Sequence, residues 1–267
     1  MSLPSLFVSH GAPTFALAPG KLGPQLAALG RTLPTPRAVL VMSPHWMSRR
    51  LQLGSAAAPR TVHDFSGFPA PLYEIDYPAP GAPDIAVAIA ALLERHDMAV
   101  EINPLQGRDH GAWVPMLHLY PRAEVPVIQL SQPAAPLPSA LFELGQVLAP
   151  LRDQGVLIVG SGSLTHNLRE LGGGAQASSV ARKFADWVWQ QIGDGNLDAL
   201  LNYRSAAPAA SLAHPSDEHF LPLFFAIGAA RSEWAKAARI EGGMDYEVLA
   251  MDSFVFGEMP AKLSRAA

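Results

Sequence analysis

Short apolar runs alternate with longer segments of helical periodicity along most of this chain. The short runs are rich in Val, Leu and Ile, as buried strands are, and span residues 5–9, 38–43, 99–103, 125–130 and 156–160. The longer segments are rich in Ala and Leu and span residues 21–31, 83–96, 137–152 and 177–192. Strands that alternate with helices are typical of βαβ units. The pattern therefore predicts an α/β fold with a central, mainly parallel sheet flanked by helices.

The C-terminal part of the chain departs from this alternation. Residues 246–256 read as a late strand, which we expect to be antiparallel and at an edge of the sheet. Stretches rich in Ala and Pro at 56–59, 133–138 and 206–213 are short enough to be connecting loops. With no internal repeat and no linker in sight, we predict a single domain over residues 1–267.

Composition narrows the possible partners. The chain has 267 residues, is 49% hydrophobic and can bury a large core. Its net charge of −4 and its lack of Lys/Arg clusters argue against nucleic acid as a partner. An apolar run of the roughly 20 residues that span a bilayer is absent, as is a secretory leader, so no membrane partner is expected. Cysteine is absent, which favours a cytoplasmic protein and leaves His, Asp and Glu as the strong metal ligands. The oligomeric state stays open.

Two histidines stand at the ends of predicted strands. His10 follows the run that ends in Ser9, and His45 follows Ser43-Pro44 at the end of the second run. Open α/β sheets bind ligands at the carboxyl ends of their strands, and imidazole is a common metal ligand. We therefore predict a metal site at this edge of the sheet, built around His10 and His45.

Further histidines are candidates for the same edge. His166 follows the run at 156–160 by a short Gly/Ser-rich segment. His110 lies just before a helix, where it could direct an N–H group at an anion or a bound oxygen, or simply make a loop hydrogen bond. A third metal ligand could come from His214 or His219, and we expect Ser216 to cap a helix whose first turns hold His219.

The other histidines are less suggestive. His63 lies in a loop rich in aromatic residues. Two interpretations are open: it contacts a substrate, or it is an ordinary polar loop residue. His96 and His118 read as structural residues of helices.

Most of the histidines lie in short motifs that run in order from residue 9 to about 229. The motifs are Ser9-His10-Gly11-Ala12-Pro13, Ser43-Pro44-His45-Trp46, His63-Asp64-Phe65 with Gly67-Phe68-Pro69, Asp109-His110-Gly111, Thr165-His166-Asn167-Leu168 and His214-Pro215 to Leu223. Taken together, they resemble those of the class III extradiol aromatic ring-opening dioxygenases, in particular the branch of DOPA 4,5-dioxygenase-type enzymes. Their combination is far more specific than any one of them.

The resemblance implies a single-domain α/β enzyme that holds one divalent metal ion, Fe(II) for activity, although Zn(II) can occupy such sites. It implies that His10, His45 and His219 are the metal ligands. His166 matches the family's catalytic base and could also ligate the metal, and His110 matches a histidine that contacts substrate or oxygen. Many non-haem Fe(II) oxygenases use two histidines and a carboxylate, so Glu218 is a rival for the third position.

The implied reaction opens the ring of a catechol beside its two hydroxyl groups with O2 and gives a semialdehyde-type product. Three protein ligands on one face leave three positions, enough for both catechol oxygens and O2. His166 would exchange the proton of a hydroxyl group. His63 and Trp46 are candidates for contact with the planar substrate. DOPA, a protocatechuate-like acid and other catechols all remain possible substrates.

Two other functions fit the same histidines. A zinc-dependent hydrolase would use them to generate a hydroxide nucleophile, with His166 or Glu218 as the base. A binding module would hold a metal or a small ligand without turnover. Metal identity, oxygen dependence and replacement of His166 distinguish these functions from ring cleavage.

Overall fold

The computed structural model describes residues 2–258. Its strands follow most of the predicted apolar runs closely. They are β1 (Ser5–Ser9), β2 (Ala38–Ser48), β3 (Leu51–Gly54), β4 (Val100–Asn103), β5 (Val127–Pro133), β6 (Val156–Gly162), β7 (Ala238–Ile240), β8 (Met244–Asp245), β9 (Leu249–Ala250) and β10 (Ser253–Phe256).

The helices connect these strands and cover the sheet. Several of the longer ones have proline in their first turn, where its missing N–H costs nothing. They are α1 (Leu22–Thr32), α2 (Pro83–Glu94), α3 (His110–Leu119), α4 (Pro138–Leu148), α5 (Pro150–Asp153), α6 (Gly174–Gly193), α7 (Leu197–Leu201), α8 (Tyr203–Ala206), α9 (Ala210–Ala213) and α10 (Pro222–Ala229).

In the described part of the chain, eight strands form one sheet in the order β4-β3-β5-β2-β6-β1-β10-β7. The four central strands, from β5 to β1, run parallel to one another. Within this described sheet, antiparallel pairing occurs towards the edges, where β3 meets β5 and where β10 lies between β1 and β7. The strands β8 and β9 form a separate antiparallel pair. The predicted α/β fold with a mainly parallel central sheet is therefore confirmed.

The central strand β2 shows why its sequence is apolar without alternation. Leu40 and Met42 pack into one buried cluster with α4 and α10, whereas Val39 and Val41 pack into a second cluster with α1 and α3. Side chains alternate between the two faces of a strand, and helices cover both faces here. The sheet is thus the middle of three layers, and polar side chains gather where its strands end.

Two of the predicted elements differ from the structure. The late strand over 246–256 is interrupted by a turn in which Tyr246 and Glu247 have positive φ angles, and only β10 joins the large sheet. This strand is antiparallel as predicted, but β7 occupies the edge beyond it. The helix expected over 137–152 is divided into α4 and α5, because Pro150 has no N–H to continue the helical hydrogen bonds.

The short strands β3 and β7 are not part of the predicted set. Within residues 2–258, no helix combines the length and the apolar character needed to cross a membrane. The chain folds as a single α/β domain, and the predicted bounds of 1–267 stay a prediction, because residue 1 and residues 259–267 lie outside the described part.

Candidate metal centre

His10 and His45 come together at the carboxyl end of the parallel strands. His10 directly follows β1, and its backbone N–H donates to the Gly162 carbonyl at the end of β6 (2.9 Å). His45 lies in the last part of β2, where the pairing with β5 shifts between Ser43 and Met47. The Nε2 atoms of the two imidazoles are 3.2 Å apart. Two sequence positions 35 residues apart thus share one space.

His219 reaches the same space from a turn that precedes α10. Its carbonyl accepts a hydrogen bond from the Ser163 N–H (2.8 Å), which fastens the turn to the end of β6. Gly162 permits this close approach, since a Cβ there would collide with the His219 carbonyl oxygen. The His219 ring centroid lies 5.5 Å from that of His10 and 5.1 Å from that of His45.

The local structure around His219 corrects one expectation. The helix begins only at Pro222, a residue that favours the first helical position, so His219 precedes the helix and Ser216 does not cap it. The Ser216 hydroxyl donates instead to Glu218 Oε1 (2.9 Å).

His166 stacks on His219, with ring centroids 3.5 Å apart and an interplanar angle of 10°. The possible ligand atoms of His166, Glu218 and His219 all lie within 4.8 Å of one another. Glu218 Oε1 is 3.4 Å from His219 Nδ1, and this contact lowers the pKa of Glu218 to about 2 against the opposing effect of burial. Glu218 is therefore an ionised acceptor behind His219 at neutral pH.

His110 lies at the start of α3, where Asp109 caps the helix by accepting from the Ala112 N–H (3.1 Å). Its ring centroid is 3.9 Å from that of His45 and 5.5 Å from that of His10. Within residues 2–258, His10, His45 and His110 form the second group whose possible ligand atoms lie within 4.8 Å of one another. The structure thus groups His110 with His10 and His45, and His219 with His166 and Glu218. The His219 ring nevertheless lies within 5.5 Å of the His10 and His45 rings, so His110 and His219 are both candidates for the third metal position.

The outer nitrogens of these rings face hydrogen-bond acceptors. Ser161 Oγ donates to the Gly111 carbonyl (2.5 Å), so its oxygen accepts from Nδ1–H of His10 at 3.0 Å. His10 therefore carries its proton on Nδ1 and directs the lone pair of Nε2 towards His45. Acceptors that bind the outer ring nitrogen of a metal-binding histidine commonly fix its tautomer.

Burial keeps these imidazoles neutral. It is the largest cause that lowers the pKa of His10, His45 and His219, and the neighbouring imidazoles lower these values further. Burial and the adjacent His219 lower the pKa of His166 to about 3. Neutral imidazole is the form that binds metals, and buried imidazole nitrogens that lie this close together suit a divalent cation such as zinc or iron. The residues present therefore fit a single metal ion.

Asp64 is the site residue to which the sequence assigned no role, although it lies inside one of the quoted motifs. Its Oδ2 atom is 2.8 Å from Nδ1 of His110 and 3.4 Å from Nδ1 of His45. Burial raises the pKa of Asp64, but the hydrogen bonds and the charge interaction with His110, together with a hydrogen bond to its own backbone, lower it by more, so the net shift is downward. The available signal in the sequence was that Asp64 directly follows His63, which was itself a predicted site residue.

Of the two predicted substrate-binding residues, the structure brings His63 close to this cluster. His63 makes a hydrogen bond with the Ile75 carbonyl through Nε2 (3.0 Å). The Phe65 ring lies between His63 and His110, and its centroid is 5.7 Å from that of His63 and 5.6 Å from that of His110. Trp46 is half-buried in β2 beside His45. Their contact with a substrate stays a prediction.

His214 is excluded as a ligand to this centre. Its ring is buried against Phe184 and Phe220, and its Nε2 makes a hydrogen bond with the Leu164 carbonyl (2.9 Å). His118 likewise contacts the Phe15 carbonyl (3.0 Å), in keeping with a structural role.

Comparisons with known proteins agree with this geometry. Residues 22–256 match the model of a family described as the catalytic LigB subunit of aromatic ring-opening dioxygenase. The chain is 38% identical to a 4,5-DOPA dioxygenase extradiol of Beta vulgaris, over 94% of this chain and 96% of the relative. It is 36% identical to a protein of the same name from Escherichia coli K12, over 85% of each. The chain belongs to this dioxygenase family.

A solved structure supports the same assignment for the fold. The crystal structure of an uncharacterized protein from Escherichia coli K12 superposes with a TM-score of 0.73 at 28% identity, and the match covers 96% of this chain and 100% of that one. The predicted membership of the extradiol dioxygenases is confirmed, and this member is a ring-opening dioxygenase. Family membership therefore favours an oxidative enzyme over the hydrolase and the binding module.

Proposed function

We propose that this chain is a non-haem, metal-dependent extradiol dioxygenase that opens the ring of a catechol with O2 to a semialdehyde-type product. The observation that carries this proposal is the pair of Nε2 atoms of His10 and His45, 3.2 Å apart, in a member of the ring-opening family. The names of the relatives state DOPA as what those proteins act on. A DOPA-like catechol is therefore the first substrate to test, with other catechols beside it.

His10, His45 and His219 would hold one divalent ion, Fe(II) for activity, and Zn(II) also suits the same nitrogen donors. When bound, the iron supplies a Lewis acid that acidifies a phenol and a redox centre at which O2 reacts. Because all three donors are neutral, the ion would keep most of its positive charge. The protein's part is to hold these three nitrogens on one side and leave the other side open.

His166 is the residue we assign as the base. Its stacking on His219 supports a role beside the proposed metal, and burial lowers its pKa to about 3, so it is unprotonated at neutral pH. It would take the proton of the second catechol hydroxyl and return a proton to the product oxygen. His110 would hydrogen-bond a substrate oxygen from the side of His45, and His63 and Trp46 would line the approach of the ring.

The test is to load purified protein anaerobically with Fe(II), measure iron per chain, and then add O2 with DOPA, protocatechuate or unsubstituted catechol. We expect O2 uptake matched to the catechol consumed and a yellow product, because both oxygen atoms enter the opened ring. Protein loaded with Zn(II) is the control and should show neither. Iron-loaded protein that takes up no O2 with any catechol would contradict the proposal, and oxygen-independent hydrolysis by the zinc form would favour the hydrolase.

A further inference from the structure

We propose that Asp64 is a positioning residue that acts on two histidines at once. In this proposal its carboxylate holds a proton on Nδ1 of both His45 and His110, so that each ring presents Nε2 to the shared space. The inference rests on the metal site of the proposed function and assigns the residue that prepares that site.

The contacts of Asp64 fix its carboxylate in one orientation. Oδ1 accepts from the backbone N–H of His110 (2.8 Å), while Oδ2 faces Nδ1 of the His110 ring (2.8 Å) and Nδ1 of His45 (3.4 Å). An ionised carboxylate only accepts hydrogen bonds, so the ring nitrogens that face it must donate. Because Oδ1 is held by the backbone, Oδ2 cannot turn away from the two rings.

Contacts other than those of Asp64 also hold the backbones of His110 and His45. Asp109 caps α3 and so holds His110 in the first helical turn. The Ser43 hydroxyl donates to Asp109 Oδ1 (2.8 Å) and accepts from the His45 N–H (3.2 Å), which ties β2 to the same cap. What the backbone leaves undecided is which nitrogen of each ring carries the proton. Asp64 is placed to decide this for both rings.

The consequence is different for the two histidines. His45 can bind a metal through Nε2 only if its proton is on Nδ1. His110 in the same tautomer has an Nε2 that accepts a hydrogen bond, so it would receive the proton of a substrate hydroxyl group rather than donate one. One carboxylate would therefore prepare a metal ligand and a substrate contact together.

The variant Asp64→Asn tests this directly, because it keeps the shape and the oxygen that accepts the His110 backbone N–H but replaces Oδ2 by an N–H donor. In metal-free protein, long-range ¹⁵N–¹H spectra assigned by single histidine replacements should show Nδ1–H for both rings in wild type and a shift towards Nε2–H in the variant. Affinity for Zn(II), measured by competition with a chelator, should fall about 10- to 100-fold.

Asp76→Asn is the matched control. Asp76 lies on the same loop, and its carboxylate accepts only from the Thr61 hydroxyl (2.6 Å) among the described side-chain donors. This variant loses the same charge and should keep the wild-type tautomers and Zn(II) affinity. An equal change in both variants would mean that charge alone is responsible and would overturn the proposal.

Wild-type tautomers and wild-type Zn(II) affinity in a folded Asp64→Asn protein would also overturn the proposal. If that variant does not fold, the wild-type spectrum decides, since Nε2–H on either ring contradicts the assignment. Neither measurement uses O2 or a catechol. Failure of the proposed function would appear separately, as iron-loaded wild type that consumes no O2.

Discussion

Two histidines that are close in the sequence have different surroundings. His219 belongs to the cluster of His10, His45, His110, His166 and His219, whereas His214 is packed in an apolar pocket. His214 and His219 are five residues apart and both buried, and burial lowers the pKa of each. Around His214 the neighbours are phenyl rings, and its Nδ1 atom has no partner in the described residues. Around His219 the neighbours are other imidazoles and a carboxylate.

The difference teaches that burial and a lowered pKa do not by themselves mark a site. What separates the two regions is the surroundings of the second ring nitrogen. In the cluster, the outer nitrogens face Ser161, Asp64 or Glu218, and the inner nitrogens of His10 and His45 face each other. An arrangement of converging lone pairs gains stability from a cation, whereas His214 needs only its one hydrogen bond and its packing.

The largest expected effect tests whether His219 is the third metal ligand. We expect His219→Ala to lose bound metal and to reduce O2 uptake to the background of metal-free protein, because only two of the three proposed nitrogens remain. Glu218→Gln should keep the metal with an affinity lowered by about 10- to 100-fold, since it would act behind the ligand. Metal content by elemental analysis and Zn(II) affinity measure both.

His110→Ala is the necessary companion to that pair of variants, since His110 is also near His10 and His45. Retention of metal in this variant would leave His219 as the third ligand. The opposite pattern, with metal lost from Glu218→Gln or from His110→Ala but kept by His219→Ala, would assign the position to that other residue.

A smaller effect is expected for His166, the cluster member that we place beside the metal. His166→Gln should lower kcat by about 10²- to 10⁴-fold, the usual range for a general base, while metal content and Zn(II) affinity stay at wild-type values. Steady-state O2 uptake with saturating catechol gives kcat. Loss of metal in this variant would instead show that His166 is itself a ligand.

How much of this could be predicted depends on the range of the interactions involved. The parallel strands follow from local apolar runs, and His10 and His45 follow from their position at the ends of such runs. The interruption at Tyr246 and Glu247 and the short strands β3 and β7 depend on pairing with distant chain segments, which periodicity does not contain.

For the site, the sequence could offer residues but not their partners. The residue pattern alone left His214 and His219 as alternatives, and the family resemblance selected His219; the two share one segment and differ in what packs against them from α6 and from the sheet edge. The role of Asp64 was also not predicted, because its contacts with His45 and His110 join three segments that are far apart in the sequence.

The smallest expected effect is on folding stability and its dependence on pH when His214 is replaced. His214→Phe should retain metal binding but be less stable at pH 7 by about 1–3 kcal/mol, because the buried Leu164 carbonyl loses its donor. The pKa of His214 is lowered to about 3 in the folded state, against about 6.5 in the unfolded chain. Below about pH 6.5 the unfolded wild type therefore binds a proton that the folded state does not, so wild-type stability falls as pH falls.

The phenylalanine variant lacks this proton uptake. Its deficit relative to wild type should shrink by about 2 kcal/mol between pH 7 and pH 5, as measured by urea unfolding of both metal-free proteins. The cluster histidines contribute equally to both proteins, so the difference isolates His214. A deficit that stays constant with pH would mean that His214 is protonated in the folded state, and loss of Zn(II) binding would mean that it belongs to the metal centre after all.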